Sequence, residues 1–287
     1  MKPVTPSRQG RLISLLFVVL TGLSIAAQGQ STNEMILPIV VNGPVAERLH
    51  YQTIFTILNA SGQDISATLQ IYNSQGTPTG VFCSPLAPPP SSATIVLRPD
   101  EQYFRFTSAD LPFFLGWARL RWEGPASVLA SVEITQVAAA PSPCLLVCNR
   151  PSTEKLASAQ LSALKSAREF RLPLTLNPNR QTAVALVNPS ATQSVRVKVS
   201  LLNAAGQSAN LGVANSFEIT LRPLEQIADS VWQMASAHSP FFTYVGFPDM
   251  FQGSVVLTAD TPFAVGALNI MYPEGKFVAV PIISPPL

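Results

Sequence analysis

The stretch "SVRVKVSLLNAAG" (residues 194–206) carries the pattern that decides the fold. Apolar residues stand at every second position and alternate with Arg196, Lys198 and Ser200. A period of two is typical of a β-strand that packs one face on a core and exposes the other to water. The closing "NAAG" supplies a tight turn, because glycine adopts positive φ readily. The stretch therefore predicts a half-buried strand that ends in a hairpin turn.

Closely related blocks occur earlier in the chain and in the same order. The phrases "LRPDEQ" (residues 97–102) and "LRPLEQ" (residues 221–226) share five of their six residues. Three further pairs match: "LPIVVN" at 37–42 with "LPLTLN" at 172–177, "ILNASGQDISATLQIYNSQG" at 57–76 with residues 186–206, and residues 116–134 with 253–270. Ordered self-similarity of this kind marks a duplication. We predict two diverged copies, residues 36–138 and 170–283, joined by a linker at 139–169.

Each copy reads as a series of short alternating strands separated by turn residues. In a domain of about 110 residues this pattern favours a two-sheet antiparallel β-sandwich, so the predicted fold class is all-β. Two stretches have apolar residues at helical spacing. Residues 224–238 are expected to contain a turn or two of helix, and residues 152–168 of the linker read either as one amphipathic helix or as an irregular segment.

The N-terminus has the order of a secretory signal peptide. Lys2, Arg8 and Arg11 precede an apolar run at residues 12–27, which small residues follow. We predict a signal peptide at residues 1–29 that is removed on export. An uncleaved anchor is the alternative, although the run is short for a span of roughly 20 residues. Secreted or periplasmic location follows, with no stable membrane insertion after cleavage.

The charge balance argues against nucleic acid as a partner. The predicted signal peptide contains three of the 18 Lys and Arg residues and none of the 16 Asp and Glu residues. The mature chain is therefore close to neutral. A protein that binds nucleic acid generally carries a clear positive excess.

Three cysteines, Cys83, Cys144 and Cys148, allow at most one internal disulfide in an exported chain. If "CLLVC" at 144–148 is extended, its two sulfurs lie roughly 13 Å apart, too far to bond. Cys83 then pairs with Cys144 or Cys148. If the stretch coils, Cys144 pairs with Cys148. The two histidines are remote from these cysteines in sequence, so no metal site and no cofactor is predicted.

A catalytic set is not evident in either copy. His50 and His238 are the two imidazoles, they occupy different positions in the repeat, and no G-x-S-x-G segment occurs. The acidic residues are scattered over predicted turns, which disfavours a paired-carboxylate site. The Arg and Glu of each LRP phrase flank a proline turn and are interpreted as a surface pair. We therefore expect a protein that is not an enzyme.

Aromatic residues cluster in the first copy and suggest a binding surface. Trp117 and Trp122 are five apart on a predicted strand, so they point to opposite faces. One is expected in the core, and the other outside or against another domain. The alternative function is a carbohydrate-binding module that stacks a sugar ring on Trp117 or Trp122, with Tyr103 nearby.

The order of the blocks at residues 186–207, 221–234 and 253–270 resembles the tandem immunoglobulin-like sandwich repeats of exported proteins from environmental bacteria. The resemblance covers both copies. The first copy departs from it by a proline-rich insertion at residues 83–93, and by Trp117 and Trp122 where the second has Ser254 and Ala259. It implies tandem immunoglobulin-like β-sandwiches. From two exported sandwiches without a catalytic set we expect a structural or adhesion-type protein that presents or spaces a binding surface, with an extracellular protein or glycan as partner.

Overall fold

The computed structural model describes residues 32–46, 49–82, 89–107, 111–124, 127–138, 155–209, 211, 214–238, 250–273 and 275–284. The predicted signal peptide at 1–29 and the three cysteines, Cys83, Cys144 and Cys148, lie outside these residues. Within them the chain forms two antiparallel sheets and one helix. The predicted all-β class and the two sandwich-like domains are confirmed.

The first domain contains eight strands in one connected sheet. Their order is β4-β3-β6-β1-β2-β7-β8, with β5 paired to β2. The strands are β1 (Thr32–Ala46), β2 (Leu49–Asn59), β3 (Ile65–Asn73), β4 (Ser92–Leu97), β5 (Gln102–Phe106), β6 (Phe114–Glu123), β7 (Val128–Ala138) and β8 (Lys155–Ser162). Strand β1 pairs with β6 from Thr32 to Asn42, with a bulge after Leu37, and then with β2 from Gly43 to Ala46. It therefore joins the two layers of the sandwich.

The second domain repeats this arrangement in a seven-stranded sheet of order β12-β11-β14-β9-β10-β13, with β15 paired to β14. Its elements are β9 (Ala167–Asn177), β10 (Arg180–Val187), β11 (Val195–Asn203), β12 (Ser216–Leu221), β13 (Gln226–Ser230), α1 (Val231–Ala237), β14 (Phe251–Met271) and β15 (Lys276–Ala279). The long strand β14 corresponds to β6 and β7 together. Its first part pairs with β9 and β11, and its last part pairs with β10 and β15.

The duplication is visible in matching hydrogen bonds. The amide of Asn59 donates to the carbonyls of Gln63, Leu97 and Arg98 at 2.8, 3.2 and 3.0 Å. The amide of Asn188 donates to the carbonyls of Gln193, Leu221 and Arg222 at 2.7, 3.3 and 2.9 Å. In both domains a buried asparagine thus fastens the end of a strand to the LRP phrase.

Both predicted hairpin turns are confirmed. Gly76 and Gly206 have φ of +81° and +76°. The side-chain oxygen of Asn73 accepts from the amides of Gln75 and Thr77, and Asn203 repeats this with Ala205 and Gln207. An asparagine that bonds backbone two residues on is a standard turn former.

Residues 152–168, expected as either a helix or an irregular segment, are neither over 155–162, where they form strand β8. Ala157, Ala159 and Leu161 turn inward while Ser158 and Gln160 face solvent, which is a period of two. The open edge of β7 supplies the ladder partners, and tertiary pairing overrides the helix propensity of alanine. This described part of the predicted linker therefore belongs to the first domain.

Strand β15 is the counterpart of β8 in the second domain, since it pairs with the last part of β14 as β8 pairs with β7. After β8, Leu164 exchanges two backbone hydrogen bonds with Ile36; after β15, Ile283 does the same with Arg171.

The helix expected within residues 224–238 is present as α1. Ser230 caps it, since its hydroxyl accepts from the amide of Gln233. Among the described helices, none is long and apolar enough to cross a membrane.

Candidate functional site

The two domains meet through one sheet face of each, here called the front face and the back face. In the first domain, the front face is the outer side of β1, β3 and β6, which carries Ile36, Tyr72 and Trp117. In the second domain, the front face is the corresponding side of β9, β11 and the first part of β14. The back face is the outer side of β5, β2 and β7 in the first domain, and of β13, β10 and the last part of β14 in the second. Within the chain, the front face of the first domain packs on the back face of the second.

Trp117 lies at the centre of this contact. Its side chain is fully buried and stacks on Tyr72, with ring centroids 4.5 Å apart and planes 16° apart. Its indole nitrogen donates to the carbonyl of Leu224 at 3.1 Å. Ile36, Tyr72 and Trp117 form one buried cluster with Val187, Ala264 and Leu224 of the second domain. The aromatic pair therefore joins the domains.

Small residues on the back face of the second domain permit this close approach. Ala185, Ala264 and Gly266 are buried there. A Cβ at Gly266 would lie 2.7 Å from Cγ of Pro38 and 2.9 Å from Cγ1 of Ile39, closer than real side-chain carbons pack. The first domain thus sits directly on the backbone of β14.

A glutamine supplies the polar anchor. The buried amide of Gln226 donates to the carbonyls of Pro38 and Gly116 at 2.7 and 2.9 Å. Its backbone amide donates to the carbonyl of Ser74 at 2.9 Å. Three backbone carbonyls of the first domain are therefore satisfied by one residue of the second, which fixes the register of the contact.

Gln226 ends the LRP phrase, and the turn of that phrase takes part in the contact. Leu224 has φ of +60°, and the amide of Glu225 donates to the carbonyl of Arg222 at 3.1 Å. Proline followed by a residue of positive φ is the type II arrangement, which normally favours glycine or asparagine. A leucine there costs about 1 kcal/mol. The side chain of Leu224 packs against the aromatic pair, and burial offsets this cost.

Two charged groups flank the turn. The carboxylate of Glu225 accepts from the backbone amide of Arg222 at 2.6 Å and from its guanidinium at 2.8 Å. The hydrogen bond from the Arg222 side chain is the main reason that the pKa of Glu225 lies below its usual value. The sequence interpretation of an Arg and Glu pair across the proline turn is confirmed in this copy.

Arg119 carries the buried charge of the contact. Its guanidinium lies 5.2 Å from the ring centroid of Trp117 and 5.5 Å from that of Tyr72, and pairs with Glu34 at 3.2 Å. It also donates to the carbonyl of Pro189. Burial lowers the pKa of Arg119, while Glu34 opposes that shift. Stacking on aromatic faces suits a guanidinium, which is weakly hydrated.

A second contact lies beside the first, where β15 packs near β8. Phe277 is buried in the core cluster of the first domain, and its ring centroid is 5.9 Å from that of Tyr51. Burial, followed by the effect of Tyr272, raises the pKa of the Tyr51 hydroxyl. The terminal strand of the second domain therefore also packs against the first domain.

The counterpart faces are the back face of the first domain and the front face of the second. On the back face of the first domain Phe104 and Leu129 are 60% and 57% exposed, and half-buried Leu58 lies directly opposite Leu129. On the front face of the second domain Leu202, Ser254 and Val256 are half-buried. The first of these surfaces is an apolar patch exposed on a domain that is otherwise well packed.

Burial overturns the use of Trp117 and Trp122 as an exposed stacking platform. The two indoles do point to opposite faces, as predicted. Trp122 is 4% exposed in the core of the first domain, and Trp117 is covered by the second domain. Tyr103 is half-buried and packs against the first core. Its neighbour Phe104 is exposed instead, because it lies on the outward side of β5.

The remaining polar groups form no group of chemical interest in the part of the chain that is described. No three His, Cys, Asp or Glu side chains there converge as metal ligands. The ring of His238 stacks on Phe217 at 4.8 Å, and its Nδ1 lies 2.8 Å from the carbonyl of Met234. An open concavity of about 550 Å³ on β11, β12 and β14 is lined by mixed charges, among them Lys198 opposite Glu218. Such a lining is ordinary for the solvent face of a sheet.

Comparison with known proteins adds little. No family model matches the sequence, and no curated protein matches it. Among solved structures, the crystal structure of the CupB6 tip adhesin from Pseudomonas aeruginosa is 8% identical, with 86% of this chain and 97% of that chain covered and a TM-score of 0.14. This likeness carries no argument about the fold or the function.

Proposed function

We propose that this chain is an exported, non-enzymatic protein of structural or adhesion type that presents or spaces a binding surface outside the cytoplasm. The observation that carries the proposal is the back face of the first domain, where Phe104 on β5 and Leu129 on β7 are exposed on either side of β2, which carries half-buried Leu58. Contiguous exposed apolar residues on a domain with a well-packed core mark an interaction surface. An extracellular protein or glycan is the proposed class of partner.

The tight contact between the domains supports a spacing role. Only four residues separate β8 from β9, and the buried aromatic pair and Gln226 hold one domain against the other. The back face of the first domain and the front face of the second therefore stand at a fixed separation. A rigid unit of this kind loses little conformational entropy when it binds, which favours a presenting role.

The N-terminal segment supports export, and the order of the repeated blocks supports kinship with immunoglobulin-like repeats of exported bacterial proteins. A sugar-stacking role for Trp117 and Trp122 has no support, because both indoles are buried.

The test combines location with attachment. Cells that produce the chain with an epitope after residue 287 are fractionated, and their attachment to polystyrene under flow is compared with that of cells making the Phe104→Lys, Leu129→Lys double variant. We expect the epitope outside the cytoplasm and attachment reduced severalfold by the double variant. Val96→Lys is the control, since Val96 is 68% exposed and lies on β4, away from the back face. An epitope that stays in the cytoplasm, or attachment that the double variant leaves unchanged, contradicts the proposal.

A further inference from the structure

We infer that the chain assembles head to tail with further copies of itself, the back face of the first domain docking on the front face of the second domain of the next copy. This rests on the proposed structural function and names the partner of the exposed surface. Four features of the described residues carry it.

The first feature is the geometry of the duplication. Inside one chain, the back face of the second domain is docked on the front face of the first. The back face of the first domain and the front face of the second are the counterparts of these two surfaces. The first exposes Phe104 and Leu129, and on the second Leu202, Ser254 and Val256 are half-buried. Because the two domains share one strand order, a copy placed by a similar relation brings those two faces together, displaced where Ser131 replaces Gly266 and where β9 lacks the bulge of β1. A contact between different faces does not close on itself, so it extends into a chain of copies.

The second feature is the polar anchor, which recurs residue by residue. Gln102 stands in the first domain where Gln226 stands in the second, each opposite the matching position of β2 or β10. The carbonyls that accept from Gln226 belong to Pro38 and Gly116, and their counterparts are Pro173 and Gly253. All three residue types are kept, and Gln102 is exposed. In a neighbouring copy its amide faces Pro173 and Gly253, which lie in an unbroken ladder where Pro38 lies in a bulge.

The third feature is an exchange of large and small residues. At the internal contact the large residue is Trp117 on the front face, and small Ala264 lies on the back face. At the counterpart faces the order is reversed, with Ser254 in place of Trp117 and Leu129 in place of Ala264. Likewise Leu202 replaces Tyr72, and Leu58 replaces Val187. Protruding side chains on one surface thus remain matched by small ones on the other.

The fourth feature explains why this contact is weaker than the internal one. Asp100 replaces Leu224 at the turn, and Val256 replaces Arg119. The packed leucine and the stacked guanidinium are therefore missing from the contact between copies. Reversible assembly that depends on concentration follows.

The experiment is sedimentation velocity on the exported, purified chain from about 1 to about 100 µM, with two variants that each block one face. We expect the average mass to rise steadily with concentration. Leu129→Lys on the back face and Ser254→Lys on the front face should each raise the dissociation constant at least about tenfold, because each places a charge in the contact. An equal mixture of the two variants retains one intact contact and should form a 1:1 dimer that grows no further.

Controls separate this inference from folding defects and from the proposed function. Val96→Lys should assemble like the parent chain, and Gln102→Ala, at an exposed site, should weaken assembly severalfold without changing the circular dichroism spectrum. A parent chain that is monomeric throughout overturns the inference. So does an Ser254→Lys variant that still forms dimers alone, since that means back-to-back pairing. Location and attachment of cells are separate readouts, so the proposed function can fail while assembly in solution persists, and the reverse.

Discussion

The turn that ends in Gln102 and the turn that ends in Gln226 are built alike and surrounded differently. In both, a glutamate carboxylate accepts from the amide of the arginine three residues earlier, and the residue after proline has φ near +60°. In the first domain this residue is Asp100 and is exposed. In the second it is Leu224, packed against Trp117 and Tyr72 of the first domain. The shared residues build the turn, and the residue that differs determines what the turn contacts.

The outward faces differ in the same way. Inward positions of the two domains hold similar apolar residues, because each must fill a sandwich core. Outward positions have diverged: Trp117 corresponds to Ser254, and Gly266 to Ser131. Variants made in pairs, one in each domain, therefore test whether the internal contact or the domain fold depends on a given residue.

Trp117→Ala should have the largest effect. Removal of a fully buried indole from the contact is expected to lower the free energy of unfolding by about 3–5 kcal/mol. Ser254→Ala, at the counterpart position, should change it by less than about 0.5 kcal/mol. Urea unfolding followed by tryptophan fluorescence and circular dichroism measures both. Equal losses in the free energy of unfolding for the two variants would show that burial of Trp117 in the domain contact does not stabilise the chain.

Gln226→Ala should follow in size. It leaves the carbonyls of Pro38 and Gly116 without their donor in a buried place, which is expected to cost about 1–3 kcal/mol. In dilute solution Gln102→Ala should stay within about 0.5 kcal/mol of the parent chain, because Gln102 is exposed. The urea midpoints of both variants, measured at one protein concentration, give the two losses of stability. A loss for Gln102→Ala as large as that for Gln226→Ala would contradict the role of Gln226 as the polar anchor of the domain contact.

Gly266→Ala should cost about 1 kcal/mol, the lower end of the range for overpacking. The added methyl meets Pro38 and Ile39, and one domain must shift from the other. Ser131→Gly, which places in the first domain the residue that the second has, should leave the domain contact unaffected. Thermal unfolding of both variants provides the measurement. A melting temperature for Gly266→Ala equal to that of the parent chain refutes the close approach.

Glu225→Gln should have the smallest effect, and it should depend on pH. Since the pKa of Glu225 is lowered in the folded chain, its contribution to stability is present above the ordinary carboxyl pKa and is lost as the pH falls through the lowered value. The melting temperature of the variant should therefore lie below that of the parent near pH 7 and approach it near pH 3. Glu101→Gln is the matched control in the first domain. A difference that grows as the pH falls would have the wrong sign.

Much of the fold could be predicted from local pattern. Alternation in β3 and β11, the asparagine and glycine turns, and the repeated LRP phrase depend on residues close together in the chain, so they are readable without tertiary information. The helix or irregular segment expected in the linker is wrong because alanine-rich sequence is ambiguous, and the open edge of β7 settles it.

The partners of the tryptophans depend on distant residues. Their opposite directions follow from strand period, whereas the cover over Trp117 comes from Leu224 and Ala264, more than 100 positions away. One sequence signal could have indicated this cover. The second copy has Ser254 and Val256 where the first has Trp117 and Arg119, and it has the small residues Ala264 and Gly266 on its back face.

Amide hydrogen exchange of Gln226 and Gln102, followed residue by residue by NMR in the intact chain, tests directly whether the contact between the domains protects the second LRP phrase. The amide of Gln226 donates to the carbonyl of Ser74 across the domain contact. In dilute solution we expect this amide to exchange at least about a hundredfold more slowly than that of Gln102, and Trp117→Ala to remove most of the difference. Equal exchange of the two amides, or slow exchange at Gln226 that survives Trp117→Ala, would contradict it.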